Sequence, residues 1–421
     1  MPSKTLSEAR VRTEPQAAWY EGHQMARAFT VVLAVTGSVA AYKSAMIARL
    51  LKKRGARVMC VMTHGAQKFL GAATLSGITG EAVRTDLWDS SFAGELHVAL
   101  ADQADVILIA PATADVIARL AQGRADDLVT AMALCAKGPV LVAPAMHPRM
   151  WHHPATQANI QSLTSQSHVT LIGPVHGEVA SGELGTGRMS DPEDVVRAVW
   201  SALARKDLMG KRVIVTAGPT VEDLDAVRFL TNRSTGKMGF AIAERAAARG
   251  ADVLLIAGPV ALSTPHRVRR VDVRSAIQMK DALWSAAGPK LEAVDAIVMS
   301  AAVGDYRFAK VDKAKMKKAA ASTISMELNP DIIAEVGASR SKNGGPKLIA
   351  FALETLRGKA LIAEARRKLA SKRVDLVVAN EAKDSFGKET NRVHLVEKSR
   401  VRSLPDMDKS DVADAILDCL V

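Results

Sequence analysis

Four short stretches place hydroxyls, small residues and turns directly after apolar runs. Thr36-Gly37-Ser38 follows VVLAV, Thr63 ends the run from Arg57, Pro111-Ala112-Thr113-Ala114 and Asp115 follow VILIA, and Pro144-Ala145-Met146-His147 closes a run from Val140. Residues of this kind let backbone amides and hydroxyls approach a phosphate or a flat ring. The turn TGSVAAYK matches neither GxGxxG nor GxxxxGKS/T, so by itself it stays divided between phosphate binding and tight packing. His97, in LHVALADQADVILIA, is either a proton-transfer group or an ordinary helix histidine. In the second half VIVTAG leads to Gly218, and Ser234-Thr235-Gly236-Lys237 opens a helix, where free amides and the helix dipole favour an anion. Asn232 is an amide donor or a plain turn residue. Lys315, Lys317 and Lys318 crowd charge into KMKK, as a solvated face or as a grip on an anionic ligand.

Two α/β domains position these residues. Strands from Thr30 to Thr36, Arg57 to Thr63, Val106 to Ala110, Val140 to Pro144 and Val169 to Ile172 alternate with helical segments, the pattern of an open, doubly wound parallel sheet. The glycine-rich run GPVHGEVASGELGTGRM, about 173 to 189, has neither period and reads as a long ordered loop or flap. Asp191 and Pro192 start a helix as N-cap and first-turn residue. The pattern restarts at Arg212: strands at Val253 to Ala257, Ala296 to Ser300, Leu348 to Ala352 and Leu376 to Ala379, a helix from Lys237 to Arg249 ending at Gly250, a hairpin-type addition over Asn391 to Val401, and a closing helix from Ser410. The domains are therefore read as a flexible tail 1 to 26, with Met25 as an alternative start, a first α/β domain 27 to 190, a connecting helix 191 to 209, and a second α/β domain 210 to 421. In such sheets ligands bind beyond the carboxyl ends of the strands.

A net charge of +12 over 421 residues fits a basic solvated surface, anionic small substrates or nucleic acid. Aromatic residues are sparse and no nucleic-acid module is present, so no nucleic-acid partner is expected. No apolar run reaches the roughly 18 residues of a membrane span, and the leading segment has no signal-type apolar core, so a cytoplasmic location is expected. Cys60, Cys135 and Cys419 form no CxxC pair, so neither a disulfide framework nor a thiolate zinc site is indicated.

The ordered set TGSVAAYK, VMTHGAQKF, the His97 segment, APATADVIARLAQGRADDL, PAMHPRMW and the glycine run ending GTGRM resembles the flavin-binding cysteine decarboxylases. VTAGPTVEDLDAVRFLTNRSTGKMGF, SAAVGDY, KMKK, NPDI and AFALET resemble the phosphopantothenate-cysteine ligases. In this order, over residues 27 to 421, they are similar to the bacterial bifunctional family of coenzyme A biosynthesis. The resemblance implies FMN on Gly37, Ser38, Thr63 and the loop Ala112, Thr113, Ala114 and Asp115, with His97 as base near the substrate thiol and Met146, Arg188 and Met189 at the substrate. It implies a CTP site on Gly218, Ser234, Gly236, Lys237, Ala301, Ala302, Asp305, Lys315, Asn329, Pro330, Asp331, Ile332, Phe351, Lys368 and Lys372, with Asn232 catalytic. Mg²⁺ would be held mainly through CTP phosphates near Asp305. The substrates implied are 4'-phosphopantothenate, cysteine and CTP, and the assembly a homo-oligomer, a dodecamer built from flavin-domain trimers and ligase-domain dimers. Two departures stand out. His147 replaces the family's usual asparagine, which contacts the substrate carboxylate, and Ser181 replaces the flap cysteine, which donates a proton in the reductive step. A hydroxyl is a far weaker acid than a thiol. The first domain is therefore expected to complete the decarboxylation by another donor, to release an unsaturated enethiol, or to be degenerate beside an active ligase. A regulatory binding module is a competing class, but its long acidic tail is absent.

Overall fold

The computed structural model describes residues 29 to 315, 323 to 341, 344 to 381 and 388 to 421. The expected tail and Lys317 and Lys318 lie outside them. The described chain forms two compact units, divided between Ala204 and Arg205.

In the first unit, β1 (Thr30–Val35), β2 (Arg57–Met62), β3 (Val106–Ala112), β4 (Val140–Pro144) and β5 (Val169–Leu171) form a parallel sheet in the order β2-β1-β3-β4-β5. All residues of β1 and β3 are buried, which is why their sequence is continuously apolar rather than alternating. Helices Tyr42–Lys53 and Pro192–Ala202 cover one face. Leu96–Gln103, Ala114–Ala121, Leu128–Leu134 and Pro154–Thr164 cover the other. The chain moves outward from β1 to β2 and then back to β3 on the opposite side, so the topological switch point lies between β1 and β3, where a crevice opens at the carboxyl ends.

Two details differ from the expectations. Residues 173 to 189, expected as a long ordered loop or flap, contain a hairpin: β6 (Val175–Glu178) and β7 (Leu184–Arg188) pair antiparallel. The hairpin is mostly half-buried and its strands, VHGE and LGTGR, hold few apolar residues, so no apolar alternation betrays it. Close approach also selects glycine over strand formers, since a Cβ on Gly187 would stand 2.3 Å from the Met146 carbonyl oxygen. Second, Asp191 occupies the N-cap of Pro192–Ala202 but makes no cap hydrogen bond. Its carboxylate instead accepts from Arg188 (2.9 Å) and Lys43 (3.1 Å), which together hold it below the usual carboxylate range. The helix itself buries Val195, Val196 and Val199 with Ile47 and Leu51, so it belongs to the first unit's core.

The second unit contains β8 (Arg212–Ala217), β9 (Val221–Asp223), β10 (Phe229–Thr231), β11 (Asp252–Ala257), β12 (Val268–Asp272), β13 (Ala296–Met299), β14 (Tyr306–Phe308), β15 (Met326–Leu328), β16 (Lys347–Glu354) and β17 (Leu376–Glu381). The main sheet runs β12-β11-β8-β13-β16-β17, all parallel, and continues through His394–Glu397 and Val401–Ser403, both antiparallel. This antiparallel edge is the hairpin-type addition expected over Asn391 to Val401. The edge strand β12, VRRVD, carries no apolar run to announce it and was missed. Gly236 takes φ +75° at the N-cap of Lys237–Ala248, a left-handed conformation that suits glycine, and places that helix's amino terminus beside the turn after β8. Among the described residues no helix is long and apolar enough to cross a membrane.

Candidate functional sites

Thr36, fully buried at the end of β1, bridges the switch point: its hydroxyl donates to the Pro111 carbonyl (2.7 Å) and accepts from the Thr113 amide (3.2 Å). Thr113 also caps Ala114–Ala121 through the Val116 amide, Ser38 accepts from the Ala40 amide, and Thr63 accepts from the Ala66 amide. These turns surround a cavity of about 630 Å³ lined by Gly37, Thr63, His64, Trp88, Thr113 and Asp115, among others. Part of its wall went unread in the sequence. Arg119 is held by Asp127 (2.6 Å), Asp115 (2.9 Å) and Asp126 (3.3 Å), and these carboxylates raise its pKa against the opposing effect of burial. The available signal was one arginine flanked by acids at i−4, i+7 and i+8.

Met146, His147, Ser181 and Arg188 do not line this cavity; Ser181 and Arg188 lie on the hairpin, which meets Met146 and His147 through Gly187 and Glu183. The Met146 amide donates to the Gly187 carbonyl (3.0 Å), and the Ala145 amide to the Ala112 carbonyl (2.9 Å), tying hairpin, β4 and β3 together. His147 caps Pro148–Trp151 through Nδ1, which accepts from the Arg149 amide at 3.3 Å. Ser181 is exposed at the hairpin tip. Met189, expected at the substrate, is buried in the core, and its carbonyl accepts from Lys43. His97 is the second residue of its helix and does not line the cavity of its own chain.

In the second unit the turns after β8 and β13 are laced together. The Ala302 amide donates to the Gly218 carbonyl (2.9 Å), the Thr220 amide to the Ala302 carbonyl (3.2 Å), and the Ala301 amide to the Thr216 hydroxyl (3.1 Å). Asn232 Nδ2 donates to the carbonyls of Ala302 (3.1 Å) and Val303 (3.3 Å), which brings Asn232, Gly218, Ala301 and Ala302 into one group. Asn329 joins it: its side chain donates to the Gly304 carbonyl (2.9 Å) and its amide to the Asp305 carbonyl (2.8 Å). Ser234 accepts from the Gly236 amide. Several expected cations are already paired: Lys237 with Glu389, Lys368 with Glu354 (2.6 Å), and Lys372 with Asp331 (3.0 Å), which also caps Ile332–Ser339. Ile332 is buried in the core and Phe351 is half-buried. Lys315 is exposed. A cavity of about 760 Å³ at the ends of β11 and β12, lined by Val260, Arg270 and Arg274 among others, includes none of the expected nucleotide residues. Among the described residues no cluster of three or more His, Cys, Asp or Glu gathers to hold a metal.

The two units match two families. One described as Flavoprotein matches residues 20–204, and one described as DNA/pantothenate metabolism flavoprotein C-terminal domain matches residues 208–421. The coenzyme A biosynthesis bifunctional protein CoaBC of Vibrio cholerae is 41% identical over 394 residues, spanning 92% of this chain and 96% of that protein. CoaBC of Escherichia coli is 40% identical over 400 residues, 93% and 96% of the two chains. Among solved structures, the C-terminal domain of a CoaBC protein is 37% identical and covers 51% of this chain and 95% of that one, with a TM-score of 0.42. With both halves matched in this order along nearly the whole chain, the protein belongs to the bifunctional coenzyme A biosynthesis family, enzymes that join a flavin-dependent decarboxylase to a ligase.

Proposed function

We propose that the second unit condenses 4'-phosphopantothenate with cysteine at the expense of CTP, and that the first decarboxylates the phosphopantothenoylcysteine formed to 4'-phosphopantetheine. The observation that carries the pairing of roles is the Asn232 side chain, bonded to the Ala302 and Val303 carbonyls across two strand ends. In the open sheet this is where a ligand binds. An acyl-cytidylate carbonyl would take the longer of the two bonds, to Val303, leaving the amide to stabilise charge as cysteine's amine attacks. Gly218, Ser234, Gly236 and the start of Lys237–Ala248 would receive phosphate, with Lys237 exchanging Glu389 for it. Asp305, Asn329, Pro330, Asp331, Phe351, Lys368 and Lys372 would frame the nucleotide, with Lys315 closing over the triphosphate. Mg²⁺ would arrive on the phosphate oxygens of CTP, beside Asp305, since no carboxylate cluster among the described residues gathers to fix it.

The first unit is the flavin unit, and its cofactor is FMN. The 630 Å³ cavity at the switch point fits such a group in size and in its lining of turn amides and hydroxyls. Gly37, Ser38, Thr63 and Ala112 to Asp115 would hold it, and Thr36 fixes the spacing of the turns. When bound, FMN oxidises the substrate thiol so that the adjacent carboxylate leaves as CO₂. His97 would take the thiol proton, His147 would donate to the substrate carboxylate, and Met146 and Arg188 would hold the substrate. Because His97 stands off the cavity of its own chain, it would serve a flavin site completed by a neighbouring copy, as in trimers assembled into a dodecamer. Ser181 at the exposed hairpin tip favours a second outcome for this half, release of the enethiol, because a hydroxyl supplies its proton poorly.

The tests are direct. Pyrophosphate release should require CTP rather than ATP, and the purified protein should be yellow and release CO₂ from phosphopantothenoylcysteine. A colourless protein inert toward that substrate would refute the decarboxylase assignment. Mass analysis of the product, with Ser181→Cys as comparison, separates saturated thiol from enethiol.

A further inference from the structure

His147 and the hairpin residue Glu183 form a contact that neither departure from the family pattern accounts for singly. The Glu183 carboxylate lies 3.1 Å from His147 Nε2 and 3.1 Å from Arg149 Nη2, both through Oε2. His147 Nδ1 is already used as an acceptor by the Arg149 amide. A neutral imidazole has one N–H, so the ring here carries its proton on Nε2 and presents a single donor, aimed at Glu183. An asparagine amide in this place would offer two N–H groups, one for a hairpin partner and one for a ligand. With histidine, two carboxylates cannot be served at once.

Resting on the assignment of His147 to the substrate carboxylate, we infer that Glu183 is a specificity-determining residue, a built-in competitor that occupies the place of that carboxylate. Substrate entry is then an exchange of one carboxylate for another at His147 Nε2–H. Glu183 belongs to the hairpin, two residues from Ser181, and during the exchange its contact with Arg149 keeps the hairpin joined to Pro148–Trp151. Gly185 and Gly187 keep the hairpin close enough for the contact to re-form: a Cβ on Gly185 would stand 2.8 Å from the Pro148 ring. The decarboxylated product has lost the competing group, so Glu183 returns to His147 without opposition. The contact therefore weakens binding of the carboxylated substrate and leaves binding of the product untouched.

The experiment uses the full-length holoenzyme, with FMN content and CTP-dependent ligation as controls for folding. In Glu183→Ala and Glu183→Gln, the KM for phosphopantothenoylcysteine should fall roughly two- to fivefold, the range of one partly exposed hydrogen bond. The inhibition constant of 4'-phosphopantetheine should stay the same. A scaffolding role for Glu183 would instead raise KM or weaken substrate and product alike. In the His147→Ala background the Glu183→Ala effect should vanish, as the double-mutant cycle requires. The inference is overturned if His147→Ala raises KM while Glu183→Ala leaves it unchanged or raises it. If His147→Ala itself leaves KM unchanged, the carboxylate assignment of His147 is what fails, and the inference with it.

Discussion

Replacing Asn232 with aspartate separates holding the ligase loop from stabilising its chemistry. In the parent, the amide makes bonds of 3.1 and 3.3 Å to the Ala302 and Val303 carbonyls. Each exposed bond contributes about 0.5–1 kcal/mol net, and an ionised carboxylate facing two carbonyls turns attraction into repulsion, for a local cost of about 1–3 kcal/mol. The loop does not collapse, because the Ala302 amide to Gly218 and the Thr220 amide to Ala302 bonds are backbone to backbone and survive. Thermal stability should therefore change by no more than about 12 °C for a unit of this size. Losing a preorganised donor to developing charge costs about 10²–10³ in rate, well beyond the loop term. The assay follows CTP-dependent pyrophosphate release and amide formation separately, with CTP affinity by titration. Amide formation should fall by about a hundredfold or more while CTP affinity moves only a few-fold. Ligation within about threefold of the parent, or a rate loss tracking the unfolded fraction, would refute the role given to Asn232.

Thr36→Val removes the hydroxyl bridging Pro111 and Thr113 in a fully buried position, which costs about 1–3 kcal/mol, and the variant should lose flavin on gel filtration while its ligase activity persists. Gly187→Ala drives a methyl into the Met146 carbonyl oxygen; decarboxylation should fall at least tenfold or so, with ligation unchanged as the control. Arg249, only 3% exposed, binds Asp207 at 2.8 and 2.9 Å and Asp418 at 2.9 Å, and Arg249→Ala should cost about 2–4 kcal/mol, read as a lower melting temperature of the ligase unit. The same arginine holds Asp207 below the usual carboxylate range, so the stability it contributes is complete above pH ~4 and is lost as pH falls through the depressed folded value. Burial shifts Asp414 the opposite way, so its ionised form is disfavoured in the fold and acidification relieves that cost. Melting curves from pH 7 to 3 should thus fall steeply only below about pH 4, and less steeply in Arg249→Ala; an equal slope in both would remove Asp207 from the account.

What the sequence made legible follows from burial. β1, β3 and β8 are buried along nearly their whole length, so their apolar runs stand out and fix the points from which Thr36, Thr113 and Gly218 project. The hairpin β6-β7 buries only Gly187 and the edge strand β12 buries no residue fully, so neither carries the apolar run or alternation that marks a strand. Arg119 was hidden for a different reason: its partners lie at spacings that become one surface only once Ala114–Ala121 and the following turn fold back on each other.

The histidine at 147 shows most clearly where reading along the chain stops. The sequence alone marks a substitution at each of two places, His147 and Ser181, and invites each to be judged as a loss or a replacement of function. In the fold they share a neighbour, because the hairpin carrying Ser181 also carries Glu183 onto His147. A histidine with Nδ1 committed to a helix cap has one proton to give, and the carboxylate that takes it sits two residues from the serine that lacks an acidic proton of its own. Restoring only the cysteine leaves Glu183 at the ring, and restoring only the asparagine leaves the flap without an acid. Ser181→Cys combined with His147→Asn should consequently change the proportion of saturated thiol and the KM for the carboxylated substrate as two separable effects, the first following residue 181 and the second following residue 147.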